Sequence, residues 1–276
     1  MRQIHQNRTI LFLVFIPLIF IVIFFLVPLF FVLIESFYSK AGRFTLIRYI
    51  NFFMDSRNLF IYLRTLKLGL IVTIFAVILG YPTAYVISNA KAGRRSLLMS
   101  VVILPLMTSP VARTYAWLII LGRFGLINQS LKAMNLIKTP LRLIYTENAI
   151  IVGLLQLFLP LMILSLVSAM ENIPDDLEEA ARSLGAGWLK GVLLIIFPLS
   201  MDGLILGATL VFTGSITAYV TPAILGGTRV LTLSTLLRQK SLVLMDWEGA
   251  TIVAVVMVLT TLILYILLRK LRPKLI

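Results

Sequence analysis

Cysteine is absent from the 276 residues, which excludes disulfides and thiolate-based metal or redox sites. Histidine occurs once, as His5 in a short basic tail, where it is read as solvated. Charge is scarce: 13% of residues are charged and 60% are hydrophobic, and the mean hydropathy is +1.02. Acids number only 11, and five of them crowd together as Glu171, Asp175, Asp176, Glu178 and Glu179. The chain has no GxxxxGK[ST] phosphate loop, no HExxH and no GxSxG pattern, and its acids do not face a histidine or serine in any catalytic arrangement. It is therefore read as a non-enzyme with no catalytic residues, no metal site and no cofactor. Any ATP that it uses must be hydrolysed by another polypeptide.

What is present is apolar sequence in long runs. Residues 9–34 carry no charge, which is long enough to span a bilayer with tilt. The run is too long for a signal peptide, is interrupted by Pro17 and Pro28, and lacks a small-residue cleavage site. Five more spans follow: residues 62–87 with a kink expected at Pro82; a third from Leu97 onward, broken near Pro105 and Pro110; and then 148–170, 193–219 and 249–268. Between them, residues 37–60 read as a loop with a short interfacial helix and 88–96 as a tight basic turn. Residues 122–147 form a longer connection with a short helix around 130–136, and 220–247 form a loop with an amphipathic centre at 231–244. The fold class is all-α, a polytopic membrane protein with six transmembrane helices. Lys and Arg outnumber Asp and Glu by 25 to 11, and in such a chain the excess serves lipid headgroups rather than nucleic acid.

An even number of spans puts both termini on one side. The raw Lys and Arg count is a tie between the two sides. The short turn with Arg94 and Arg95 and the tail with Arg269 and Lys270 are denser, which favours the cytoplasm for the side holding them.

Residues 172–199 organise the rest. Asp175 caps a helix with Glu178 as its capping-box partner, and Pro174 suits the entry. Leu177, Ala180, Ala181 and Leu184 make a shallow apolar face, while Asp176, Glu179, Arg182 and Ser183 line the other. Gly185 ends the helix, and Gly187 and Gly191 are expected to allow further turning before the next span. The product is a bent two-helix arm outside the membrane with a docking face for another protein.

The order Glu179-Ala180-Ala181, Gly185, Ile195 and Phe197-Pro198 resembles the EAA signature of the membrane permease subunits of ABC importers that depend on a binding protein. It departs from the signature in having Phe197 where leucine is usual. The resemblance implies a type I importer permease fold. It makes Asp175, Glu178, Glu179, Ala180, Ala181, Leu184, Gly185 and Pro198 the coupling residues of a cytoplasmic helix that inserts into an ATPase subunit. Residues 1–60 are then a first transmembrane helix with its outer loop, and 61–276 a five-helix permease core carrying a coupling loop at 171–191. Residues 104–128, 140–145 and Asp246-Trp247 are similar to the first permease of spermidine/putrescine importers. That implies a bacterial inner-membrane location with both termini cytoplasmic, a second homologous permease as heterodimer partner, an ATPase dimer, an extracytoplasmic binding protein, and no nucleic acid. Other substrates of the same importer class stay open: small amines, opines, thiamine, phosphonates and ferric iron.

Charges inside spans are costly and so are candidates for function. Asp202 lies about one turn beyond Pro198 and, with Tyr219 and Trp117, is a candidate for the pathway lining; its alternative is a helix end near the membrane surface. Glu35 and Arg113 are read as snorkelling or mutually paired. Gly203 and Gly207 are read as a packing motif rather than a gate. An ion-coupled secondary transporter would need more intramembrane charge than Asp202 supplies, and a membrane enzyme would need a catalytic constellation.

Overall fold

The computed structural model describes residues 15–38, 44–174, 176–177, 183 and 187–270. Most of these are helical, and among them the only strand-like pairing is an isolated bridge between Tyr38 and Phe44. The chain divides into two compact units, one of residues 1–58 and 237–256 and another of residues 59–236 and 257–276.

In the first unit, α1 (Phe15–Ser36) is apolar along its length, and its most apolar stretch buries nothing against its own chain, as suits a helix that faces lipid or another subunit. At its end Ser36 is buried, donating to the Leu33 carbonyl at 2.6 Å and accepting from the Tyr49 hydroxyl at 2.6 Å. Tyr49 lies on α2 (Ile47–Met54), the short helix expected in the loop. Arg48 of α2 donates to the Tyr38 carbonyl at 2.7 Å and pairs with Glu248. Lys240 and Asp246 pair at 3.0 Å in the same unit.

The second unit holds the rest of α3 (Ser56–Ser88), then α4 (Ala92–Met107), α5 (Pro110–Ile120), α6 (Leu126–Ala133), α7 (Glu147–Met170), α8 (Trp188–Leu199) and α9 (Met201–Thr217). After these come α10 (Leu233–Arg238) and α11 (Trp247–Lys270), the latter reaching into this unit from Met257. The core centres on α7, whose Ile150, Leu154, Met162, Leu166 and Val167 are buried. Its N-terminus is fixed by Thr146, whose Oγ1 accepts from the Ala149 N–H at 3.2 Å. Its first-turn Glu147 pairs with Arg64 at 3.1 Å and also with Lys67, both on α3.

Helix α9 comes closest to α7 through glycines on one face. A Cβ at Gly203 would stand 2.4 Å from the Ala169 Cβ and 2.5 Å from the Ser165 carbonyl oxygen. At Gly207 it would meet the Met162 sulfur at 2.7 Å, and at Gly214 the Phe158 ring at 2.5 Å. The Gly203 and Gly207 pair is thus a packing motif, as the small-xxx-small spacing predicts.

Among the described residues, four helices, α1, α3, α7 and α11, are long and apolar enough to cross a membrane alone. The count reaches six when α4 with α5 and α8 with α9 each form one broken span, bent by 92° and 68°. The first bend falls at Thr108 and Ser109, whose extended backbones (ψ 151 and 127) precede Pro110. The second falls at Ser200, two residues after Pro198, with φ −86 and ψ 3. The prolines predicted the first break. The fifth span was expected to be continuous from residue 193 and is instead broken at Ser200.

Several boundaries also differ from expectation. Helix α6 begins four residues before the predicted 130–136 helix, because Gly125 in an extended conformation lets the chain turn there. The turn predicted over 88–96 is only residues 89–91, since α4 already begins at Ala92. Gly191 does not turn: it lies within α8 at φ −58 and ψ −47, because glycine costs a helix only about 1 kcal/mol and the apolar run after it favours the span.

Candidate site at the root of the acidic segment

The acidic segment leaves α7 at Met170 and returns at α8. Asp175, Glu178, Glu179, Ala180, Ala181, Leu184 and Gly185 lie outside the described residues, and of the helix expected there only Asp176, Leu177 and Ser183 are described, all three helical. Asp176 and Leu177 are described and exposed. What the structure does give is how the two roots of the segment are held.

Both roots are tied to the hairpin formed by α3 and α4. On the outgoing side, Glu171 pairs with Arg95 in the first turn of α4. On the returning side, the Trp188 Nε1–H donates to the Tyr85 hydroxyl at 3.0 Å, with the rings edge to face at 6.0 Å. One turn earlier on α3, the Tyr81 hydroxyl and Ser200 Oγ share a hydrogen bond at 2.9 Å, and the Tyr81 ring lies 5.5 Å from that of Phe197. Ser200 is fully buried at the α8–α9 bend. Between the outgoing root, the hairpin and α8 lies a cavity of about 210 Å³, lined by Tyr85, Ser88, Asn89, Arg95, Glu171 and Ile196 among others. Pro198 lies in α8 beside Phe197, in the arm that the tyrosines hold.

The other candidates do not converge. Asp202 is exposed in the first turn of α9, while Tyr219 follows its last residue. At 1.5 Å per residue, roughly 25 Å of helix separates them, so they belong to opposite ends of any pathway. Tyr219 borders a cavity of about 220 Å³ with Pro110, Leu157, Phe158, Thr217 and Thr221. Near it the Thr114 and Thr221 hydroxyls are hydrogen-bonded at 3.1 Å and buried. Trp117 is partly buried and packs against the core. The Nε and Nη1 of Arg113 are buried without a hydrogen-bond partner among the described residues. The Arg64–Glu147–Lys67 cluster and the tyrosine contacts were missed from sequence, although Arg64 and Lys67 one turn apart on α3 signal a cationic face needing an acid.

The family model described as the binding-protein-dependent transport system inner membrane component matches residues 76–276, from the middle of α3 to the end of the chain. The chain belongs to this family. It is thus a multi-pass inner-membrane permease component of a binding-protein-dependent transport system. It is 34% identical over 207 residues to the spermidine/putrescine transport system permease protein PotB of Haemophilus influenzae, covering 75% of this chain and 72% of that protein. The PotB of Escherichia coli K12 is 33% identical over 204 residues, covering 74% of each chain. The resemblance to these permeases expected from residues 104–128 and the EAA spacing is borne out.

Among solved structures, a bacterial alginate ABC transporter in complex with its alginate pentasaccharide-bound periplasmic protein contains a chain with a TM-score of 0.81. That likeness covers 99% of this permease and 96% of the other, at 15% identity. A methionine ABC transporter, MetNI, in inward-facing conformations gives a TM-score of 0.57 at 18% identity, covering 78% and 96%. At such identities the likeness is one of fold, and it is the all-α fold of ABC importer permeases.

Proposed function

We propose that this permease is one of two different membrane subunits of an ATP-driven importer and forms half of a pathway for a polyamine such as spermidine or putrescine. The observation that carries the substrate class is the identity of 33–34% to PotB proteins over about three quarters of both chains. In this reading an ATPase dimer binds the acidic segment on the cytoplasmic side, an extracytoplasmic binding protein delivers substrate on the other, and both termini are cytoplasmic. Asp175, Glu178, Glu179, Ala180, Ala181, Leu184 and Gly185 form the face that meets the ATPase. Glu179 meets a basic residue there, and Gly185 permits close backbone approach.

The pathway side is built from Asp202, Tyr219 and Trp117. Because Asp202 and Tyr219 lie at opposite ends of α9, a cation meets an aromatic residue at one end and a carboxylate at the other. Alternate opening follows from the bends: α9 is joined to the acidic segment only through α8 and the break at Ser200, so displacing the segment changes the angle at that break.

The test is to extract the tagged permease in mild detergent with its natural neighbours, identify the co-purifying subunits, and reconstitute them in vesicles with labelled spermidine outside and ATP inside. Uptake that needs ATP and is competed by putrescine is the expected result. Co-purification of an ATPase without polyamine uptake would move the substrate to another member of the importer class. A permease that transports alone would overturn the importer reading.

A further inference from the structure

We propose that the α3–α4 hairpin is a bracket that makes both broken spans follow the acidic segment as one body, and that Tyr81, Tyr85 and Arg95 are its positioning residues; this rests on the importer reading above. Three independent contacts carry it. Arg95 holds Glu171, where the chain leaves α7. Tyr85 holds Trp188, where it enters α8. Tyr81 holds Ser200, where α8 gives way to α9. The two tyrosines stand four residues apart on α3 and so share one face of it. Together they engage the short arm α8 at both its ends, and Phe197 adds a ring contact between them.

The arrangement has a mechanical consequence. Helix α8 follows the segment because it is covalently joined to it. Helix α4 has no such link, yet Arg95 in its first turn is paired to Glu171 at the segment's other root. Only residues 89–91 separate α3 from α4, too few to let the hairpin arms move far apart. A displacement of the segment therefore reaches α8 through the backbone and α4 through the bracket. Each of these helices is the near arm of a bent span, at 68° and 92°. Without the bracket, only one bend would feel the ATPase directly. The Arg95–Glu171 pair is partly exposed and contributes little to stability by itself, so its placement at the root points to register rather than strength.

The chain's lack of cysteine allows a direct test. Gly93 on α4 and Gly187 before α8 both have open space where a Cβ would stand, so Gly93→Cys with Gly187→Cys can carry spin labels across the bracket. Gly187→Cys with the exposed Leu210→Cys spans the α8–α9 bend. Distances are measured by pulsed electron paramagnetic resonance in the reconstituted complex, with the other subunits' cysteines replaced, with and without ATP under non-hydrolysing conditions. The bracket requires the 93–187 distance to hold within the roughly 1–2 Å of an ordinary helix shift while the 187–210 distance changes. It further requires that Tyr85→Phe combined with Arg95→Gln broaden the 93–187 distribution and make it respond to ATP. With Tyr85 kept, exchanging the charges, Arg95→Glu with Glu171→Arg, should leave the distribution narrow. A 93–187 distance that changes in the unmodified bracket, or stays narrow in the double variant, overturns the bracket while leaving the importer reading intact. If neither distance responds to ATP although the ATPase is bound, the importer reading falls and the bracket with it.

Discussion

Replacing Gly203 by alanine adds one methyl group at the tightest point between α9 and α7, and its cost can be worked from the neighbours. The new Cβ would lie 2.4 Å from the Ala169 Cβ and 2.5 Å from the Ser165 carbonyl oxygen, both far inside contact distance. Overpacking of a well-packed core costs about 1–3 kcal/mol, and the upper end applies because one obstacle is backbone and cannot rotate aside. Alanine recovers about 1 kcal/mol over glycine in helix propensity. The net is about 2 kcal/mol, or roughly thirtyfold in the folding equilibrium. Gly191, also helical but with nothing within 4 Å of its Cβ position, serves as the control. There the propensity term stands alone, and Gly191→Ala should stabilise by up to about 1 kcal/mol.

The assay is the fraction of detergent-solubilised permease that stays monodisperse after heating, measured for wild type and both variants, followed by steric trapping to obtain free energies. Gly203→Ala should lower the midpoint and Gly191→Ala should raise or preserve it. Adding Ala169→Gly to Gly203→Ala should recover only part of the loss, since the Ser165 carbonyl remains in place. Equal midpoints for Gly203→Ala and wild type, or full rescue by Ala169→Gly, would refute the close-packing account.

Glu147→Gln leaves Arg64, whose side chain is only 14% exposed, without its counter-charge, and should cost about 1–3 kcal/mol in the same heating assay, whereas Lys67→Gln should cost little because that side chain is 53% exposed. Gly185→Leu should uncouple ATP hydrolysis from uptake in vesicles while the spans still insert; normal uptake would sink the assignment of the acidic segment. Asp202→Asn should slow uptake of a polyamine cation more than that of a neutral substrate, and equal uptake of labelled spermidine by variant and wild type would remove Asp202 from the pathway.

How much of this was legible in the chain depends on the range of the interaction. The long uncharged runs place α7 and α11 to within two residues at either end, since lipid leaves the backbone no partner but its own helix, whereas α3 begins at Ser56, six residues before the apolar run that marks it. Pro105 and Pro110 announce the first break because proline restricts its own backbone and that of its neighbour. Ser200 gives no such signal: a serine mid-helix is ordinary, and its contacts with the Tyr81 hydroxyl and the Phe197 carbonyl become visible only in the structure. The spacing of Gly203 and Gly207 shows that something packs closely there but not that its partner is Ala169 and Ser165. Arg95 and Glu171 are 76 positions apart, and no local pattern pairs one basic residue of a turn with one acid among five.

The Thr114–Thr221 hydrogen bond has a consequence for the two bends taken together. Thr114 lies on α5, the far arm of the first broken span, and Thr221 lies just beyond α9, the far arm of the second. The near arms meet at the hairpin. Two hinged rods pinned at both ends make a closed linkage, and in a closed linkage the angles 92° and 68° are not independent: opening one hinge obliges the other to turn.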